Sequence, residues 1–256
     1  MLQDVLSFQL YSARNFPPLA QQLATLRRLG YTNVEPFGGL YDDVEGLALA
    51  LEAAKLTAKS GHIALTTLET EPDRAIAIAI AKRLGMTYVV VPYLTPDQRP
   101  SDRAGWTDIG RRLSAVAEHL GPHDLRLAYH NHDFEFRPLA DGSYPIEHVL
   151  GGSCLWEADL AWVAKAGVDP KPWLERYAGR VPLVHVKDIA ASGQNAEQDG
   201  WADVGQGTLG WAELWDAAVK AGAVLMIAEH DNPSDVERFA RVSAAAMSSY
   251  QAKEQA

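Results

Sequence analysis

The sequence predicts an α/β fold of the (β/α)8 barrel type. Three observations lead there. Short β-rich runs alternate with alanine- and leucine-rich stretches at helical spacing, eight such pairs follow one another, and 256 residues is the length a closed eightfold barrel needs. The strands are expected at residues 5–10, 33–37, 56–62, 88–93, 126–132, 154–160, 183–188 and 224–231. The helices are expected at 18–29, 44–55, 72–84, 102–120, 145–150, 170–177, 211–221 and 233–248. Gly30, Gly85, Gly121 and Gly222 stand just past helical runs, where a left-handed residue ends a helix without steric cost. Pro18, Pro72, Pro170 and Pro233 stand near helix starts, where a missing N–H costs nothing. An open doubly wound sheet is the competing architecture, but it carries a glycine-rich turn after its first strand. Here that strand runs into Tyr11-Ser12-Ala13-Arg14-Asn15, without glycine. The long irregular stretch at 190–210 reads as a functional loop. Residues 1–256 read as one domain.

Composition narrows the function. Hydrophobic residues make up 47% of the chain, enough for a sizeable core. Thirty-three acidic against 23 basic residues give a net charge of -10, which repels phosphate backbones and anionic lipid; neither nucleic acid nor membrane is an expected partner. One cysteine, Cys154, excludes an internal disulfide and a cysteine-based zinc site. Met1-Leu2-Gln3-Asp4 lacks a basic, apolar leader, so a cytoplasmic protein is expected.

In such a barrel the chemistry sits at the C-terminal ends of the strands, on inward-facing side chains. Alternation along each strand tells which these are. His185 and Lys187 share one face, opposite Val184 and Val186; Glu157 and Asp159 share a face, opposite Trp156 and Ala158; Glu229 and Asp231 align with Leu225 and Ile227; His130 and His132 oppose Asn131. Glu35 and His62 end the second and third strands. Strands five through eight thus all end in groups able to bind a metal. Ionisable groups crowded in a barrel mouth are costly unless paired or coordinated. A divalent cation answers that cost, and imidazole and carboxylate ligands suit Mn2+, Co2+, Fe2+, Mg2+ or Zn2+. Taken singly, each residue also reads as a hydrogen-bonded strand-end cap.

At these residues the sequence resembles the sugar phosphate isomerase/epimerase superfamily, the xylose-isomerase-like TIM barrels. The likeness covers nearly the whole chain. It rests on Phe8-Gln9-Leu10-Tyr11-Ser12, Gly30-Tyr31-Thr32-Asn33-Val34-Glu35, Ser60-Gly61-His62, the run from Tyr129-His130-Asn131-His132 to Glu135-Phe136, Asp159-Leu160-Ala161-Trp162, His185-Val186-Lys187-Asp188, Val204-Gly205-Gln206-Gly207 and Glu229-His230-Asp231. The resemblance implies one divalent ion, Mn2+ favoured, held by Asp159, His185, Glu229 and a fourth ligand from strand five. There the family pattern Glu-Asn-His is replaced by His130-Asn131-His132. Glu135 is the preferred fourth ligand and His130 the alternative. The His-Asn-His form resembles the branch that handles keto-inositols and 3-keto-glycosides, such as inosose dehydratase.

The implied activity is isomerisation or epimerisation of a ketose, keto-sugar or keto-polyol, through proton abstraction next to a metal-bound carbonyl and an enediolate. Dehydration or lyase chemistry by β-elimination is the alternative, and a non-catalytic carbohydrate-binding barrel a remote one. His130 or His132 is the expected base, with Glu229 assisting. Lys187 is expected to hold an oxyanion or else to pair with Asp159 or Glu157, and His62, Glu35 and Gln9 to orient substrate hydroxyls. Trp162 and Trp201 are expected to wall the sugar, Trp211 to pack in the core, and the turn Gly205-Gln206-Gly207 to present N–H groups to substrate or simply to turn. A homo-oligomer is possible on this reading.

Overall fold

The computed structural model describes residues 6–254. The expected strand start at Val5 and the reading of residues 1–4 lie outside the described residues. The strands are β1 (Leu6–Gln9), β2 (Asn33–Glu35), β3 (Ser60–His62), β4 (Tyr88–Val91), β5 (Arg126–His130), β6 (Leu155–Asp159), β7 (Leu183–Val186), β8 (Asp188–Ile189), β9 (Trp201–Ala202) and β10 (Leu225–Ala228). β1–β7 and β10 form a parallel sheet ordered β2-β1-β10-β7-β6-β5-β4-β3. Its two ends meet through a bridge between Asn33 and Thr57 and through the His62 N–H, which donates to the Pro36 carbonyl at 2.9 Å. That seam closes the barrel.

Side-chain alternation sorts the core into two layers. Tyr88, Val90, Ala128, Leu155, Leu183, Leu225 and Ile227 fill the barrel interior. Their neighbours Val89, Val91, Leu127, Tyr129, Trp156, Val184, Val186 and Met226 face the helical shell. Each large aliphatic side chain so buried contributes roughly 1.5–3 kcal/mol. The interior layer is apolar at the base and turns polar toward the C-terminal mouth, where Glu157 and Asp159 follow Leu155 on β6 and His185 follows Leu183 on β7.

The expected elements form, with ends that differ for local reasons. β2 and β4 stop ahead of Pro36 and Pro92, which have no N–H for the ladder. The third strand is shorter than expected because the chain at Thr57 pairs with the seam instead. Gly30, Gly85 and Gly222 do take φ values of 98°, 72° and 106°. Gly121 does not: at φ -51° it continues into a 3-10 turn, and Asp124 takes the left-handed position instead. The helix Leu160–Lys165 was not expected; the Asp159 carboxylate caps it by accepting the Trp162 N–H at 2.9 Å. Within the 190–210 loop, β9 pairs antiparallel with β8. No helix among the described residues is long and apolar enough to cross a membrane.

Candidate metal centre

Four buried side chains from four barrel strands converge at the mouth. His130 ends β5, Asp159 ends β6, His185 lies in β7 and Glu229 follows β10; each offers a ligand atom within 4.8 Å of the others. A second set, His62, His130, Glu157 and His185, meets the same limit and shares two members with the first. Because Glu157 precedes Asp159 by two residues on an inward face, the second set lies deeper in the barrel.

The donor chemistry favours a cation in the first set. Asp159 uses Oδ1 to cap the following helix, while its buried Oδ2 makes no hydrogen bond. The buried Nδ1 of His130, by contrast, faces Glu157 Oε2 at 3.2 Å. His185 points Nε2 at Glu35 Oε1 (2.9 Å) and Glu157 Oε2 (3.2 Å), and Nδ1 at Glu229 Oε2 (2.9 Å). One ring nitrogen held by carboxylates with the other turned to the site is the usual arrangement of a metal-ligating histidine. In the deeper set, Glu157 Oε2 is already enclosed by His62 Nε2 (2.8 Å), His130 Nδ1 (3.2 Å) and His185 Nε2 (3.2 Å).

Charge points the same way. The Lys187 ammonium pairs with Asp159, Glu229 and Asp231, while the buried carboxylates Glu35 and Glu157 are paired with imidazoles. Burial works to pull the His62 imidazolium down, but the Glu35 and Glu157 carboxylates push it up to about 10. His185 is likewise raised, against burial, by Glu157 and Glu229. Asp159 is pushed up to about 7 by burial, with Lys187 opposing and Glu229 reinforcing. Carboxylates that outnumber their one ammonium and draw protons onto neighbouring imidazoles are suited to a divalent ion.

A cavity of about 450 Å3 opens above this cluster, lined by His62, His130, His132, Glu229 and Asp231 at its floor. Burial, aided by the Lys187 charge, lowers His132 to about 3, so its imidazole is neutral. Its ring packs edge-on to Tyr93 (4.9 Å) and stacks on Phe134 (5.8 Å).

Other expected site residues lie elsewhere. Glu135 does not join the ligands: its oxygens accept the Tyr129 hydroxyl (2.6 Å) and the His132 N–H (2.8 Å), bracing the turn after β5 from behind. The position on strand five that reaches the cluster is His130. Glu35, Lys187 and Trp162 do not line the cavity. Glu35 is fully buried, bonded to Gln9 Nε2 (2.8 Å) and paired with His62 and His185. Lys187 Nζ lies 2.6 Å from Asp231, 3.1 Å from Glu229 and 3.6 Å from Asp159, so it pairs with carboxylates rather than facing a substrate. Trp162 packs against His132 and Trp201, and Trp201 and Trp211 are buried. The N–H groups of Gly205 and Gly207 donate to Asp188, so that turn is structural. The cavity wall comes from Tyr11, Phe37 and Tyr93, which sequence reasoning missed. Each follows the last residue of its strand by two, as do Ala64 and His132, which also line the cavity. That regular offset was the available signal.

A family model described as the xylose isomerase-like TIM barrel matches residues 23–250. The chain belongs to that family. Among relatives of this TIM barrel, the rhizopine catabolism protein MocC of Rhizobium meliloti is 26% identical over 200 residues, which cover 72% of this chain and 61% of MocC. Solved structures share the fold. A sugar phosphate isomerase/epimerase from Parabacteroides distasonis superposes with a TM-score of 0.79 at 20% identity, covering 95% of this chain and 93% of that one. The IolI protein, solved with a zinc atom, gives 0.75 at 15% identity, covering 97% and 98%. The probable 3-DHS dehydratase AsbF from Bacillus anthracis gives 0.73 at 11% identity, covering 95% and 98%.

Proposed function

We propose that this chain is a divalent-metal-dependent isomerase or epimerase of a ketose, keto-sugar or keto-polyol. The observation that carries the reading is the convergence of His130, Asp159, His185 and Glu229 beneath the cavity. The zinc found in the IolI relative supports it. These four residues would hold the ion, which supplies Lewis-acid polarisation of a substrate carbonyl. Of the two histidines considered as base, His130 serves as ligand and His132 remains free for proton transfer. Its neutral imidazole in the cavity wall accepts the proton from the carbon beside the carbonyl, while the C–H electron pair passes to the carbonyl oxygen. Returning the proton to the former carbonyl carbon, while the hydroxyl proton of the deprotonated carbon passes to the former carbonyl oxygen, completes an isomerisation; returning a proton to the opposite face of the same carbon gives the epimer. Asp231, partly exposed at the cavity floor and held by Lys187, receives a substrate hydroxyl.

A second reading, β-elimination by a lyase or dehydratase, is favoured by one feature. Epimerisation through paired carboxylates needs one on each substrate face, and strand five supplies imidazoles, His130 and His132. Both readings share the first proton abstraction. Incubation of candidate keto-polyols and keto-sugars with Mn2+-loaded protein in D2O tests them by NMR. Deuterium beside the carbonyl in an isomeric product supports the isomerase; an unsaturated product supports the lyase. Full activity after chelation contradicts both.

A further inference from the structure

We propose that the base of the barrel, at the opposite end from the candidate metal centre, binds a small organic phosphate, an anionic head on an apolar body. A cavity of about 700 Å3 opens there, among the residues that start the strands. Asn33, Tyr88 and Leu225 are the first residues of β2, β4 and β10, and Lys59 immediately precedes β3. Three cations line this cavity, Arg27, Lys55 and Lys59, and no acidic residue does. In a chain of net charge -10 that is a local reversal of sign.

Neighbouring cations have partners: Arg28 pairs with Glu237 at 2.9 Å, and Arg83 with Glu45 at 2.6 Å. Arg27, Lys55 and Lys59 pair with no carboxylate among the described residues. Arg27, in the last turn of the helix Leu19–Arg28, and Lys55, which caps the helix Val44–Ala54, complement the negative ends of those helices. Lys59 ends no helix and adds like charge to theirs. A phosphate, which takes several charge-assisted hydrogen bonds at once, offsets that repulsion. Neutral donors stand beside the cations. The Thr87 hydroxyl makes no hydrogen bond among the described residues, and the Tyr88 hydroxyl accepts from Arg126 at 3.3 Å and keeps its own proton to donate. The floor is apolar, formed by buried Leu225 and Tyr88 with Val224, which is 46% exposed. An apolar floor edged by cations suits an organic phosphate better than a bare ion, and the acidic remainder of the surface repels a polyanion.

The site also spans the seam that closes the barrel. β2 and β3 share no strand ladder; the Asn33–Thr57 bridge joins them, reinforced by the Thr57 hydroxyl, which donates to the Asn33 side-chain oxygen. Arg27 stands on the β2 side of this seam, while Lys55 and Lys59 flank Thr57 on the other. A phosphate held by both sides ties them together and slows their separation.

The test titrates the protein with phenyl phosphate, inorganic phosphate and phenol in about 0.15 M NaCl, where diffuse attraction is screened, with binding read by NMR. Phenyl phosphate is expected to bind at least about tenfold tighter than either of its halves, and to slow amide exchange at residues 32–34 and 57–59. Lys55→Ala/Lys59→Ala should weaken phenyl phosphate by about tenfold or more, and Lys55→Arg/Lys59→Arg should retain it. Val224→Glu, which keeps all three cations and sets the opposite charge beside them, should abolish the binding. Affinity that survives either the double alanine or the Val224→Glu variant overturns the proposal. So does inorganic phosphate binding as tightly as phenyl phosphate, or slowed exchange confined to the turns bearing Tyr11 and Tyr93.

Discussion

The two sides of the barrel mouth are built differently. Over β6, β7 and β10 the 190–210 loop is stitched down: Asp188 accepts N–H groups from Ile189, Gly205, Gly207 and Leu209, and Arg238 pairs with Asp203 at 2.8 Å. Trp201 and Trp211 are buried there, and Lys187, 4.4 Å from the Trp201 ring centre, is sealed among carboxylates. Over β1–β4 the chain leaves short turns after the strands and sets Tyr11, Phe37 and Tyr93 around an opening. One side holds charge in a fixed place; the other leaves a cavity open. The lesson is that a residue's type does not tell which task it has. Tryptophans that suggest a sugar wall serve as packing, while tyrosines beyond the strand ends line the cavity.

This contrast can be broken at several points. The largest effect is expected at Lys187. Removing a buried partner from opposed charges costs about 3–5 kcal/mol, and Lys187→Met should show that loss in chelator-stripped protein on urea unfolding. With Mn2+ bound the loss should be smaller, because the ion takes over the neutralising role. By linkage, Mn2+ then binds at least about tenfold tighter to the variant. Weaker binding would mean that Lys187 holds the ligands in position rather than opposing the ion.

Next comes the loop anchor. Asp188→Ala strips the partners from four backbone N–H groups and should cost about 3 kcal/mol or more. Hydrogen exchange should rise across residues 200–210 while the turns bearing Tyr11 and Tyr93 stay protected as before. Equal loosening of both sides would deny their independence. Gly207 is required at the same anchor, since a Cβ there would run into the Asp188 carboxylate and the Ile189 carbonyl.

A smaller, pH-dependent effect is expected at Glu135. Burial pushes its carboxyl up to about 7, against the Tyr129 and His132 donors. With the folded value above the ordinary one, its contribution is full below about pH 4 and fades as pH rises through about 7. Glu135→Gln stays neutral throughout, so it should gain on the wild type by on the order of 2–3 kcal/mol between pH 4 and pH 8. A stability difference that does not vary with pH would show the carboxyl ionised across that range.

The barrel and much of its mouth were legible because they follow from period. Alternation in β6 and β7 put Asp159 and His185 inward, and the helical spacing fixed the shell. What alternation cannot give is depth or reach. Glu35 faces inward as expected, yet Gln9, His62 and His185 hold it below the cavity floor. Glu135 has a ligand's chemistry, but the turn after β5 sends it behind the strand to Tyr129. The pairing of Lys187 with Asp231 depends on contacts between β7 and the residues after β10, which no local pattern encodes.

The central claim is that His130, Asp159, His185 and Glu229 hold one divalent ion. Calorimetric titration of chelator-stripped protein with Mn2+ tests it most directly, in the wild type, Asp159→Asn and Glu157→Gln. One ion per chain is expected in the wild type, with a loss of more than about 100-fold in affinity for Asp159→Asn and a smaller loss for Glu157→Gln, whose carboxylate orients the imidazoles. A wild type that takes up no ion, or a larger loss from Glu157→Gln than from Asp159→Asn, would contradict it.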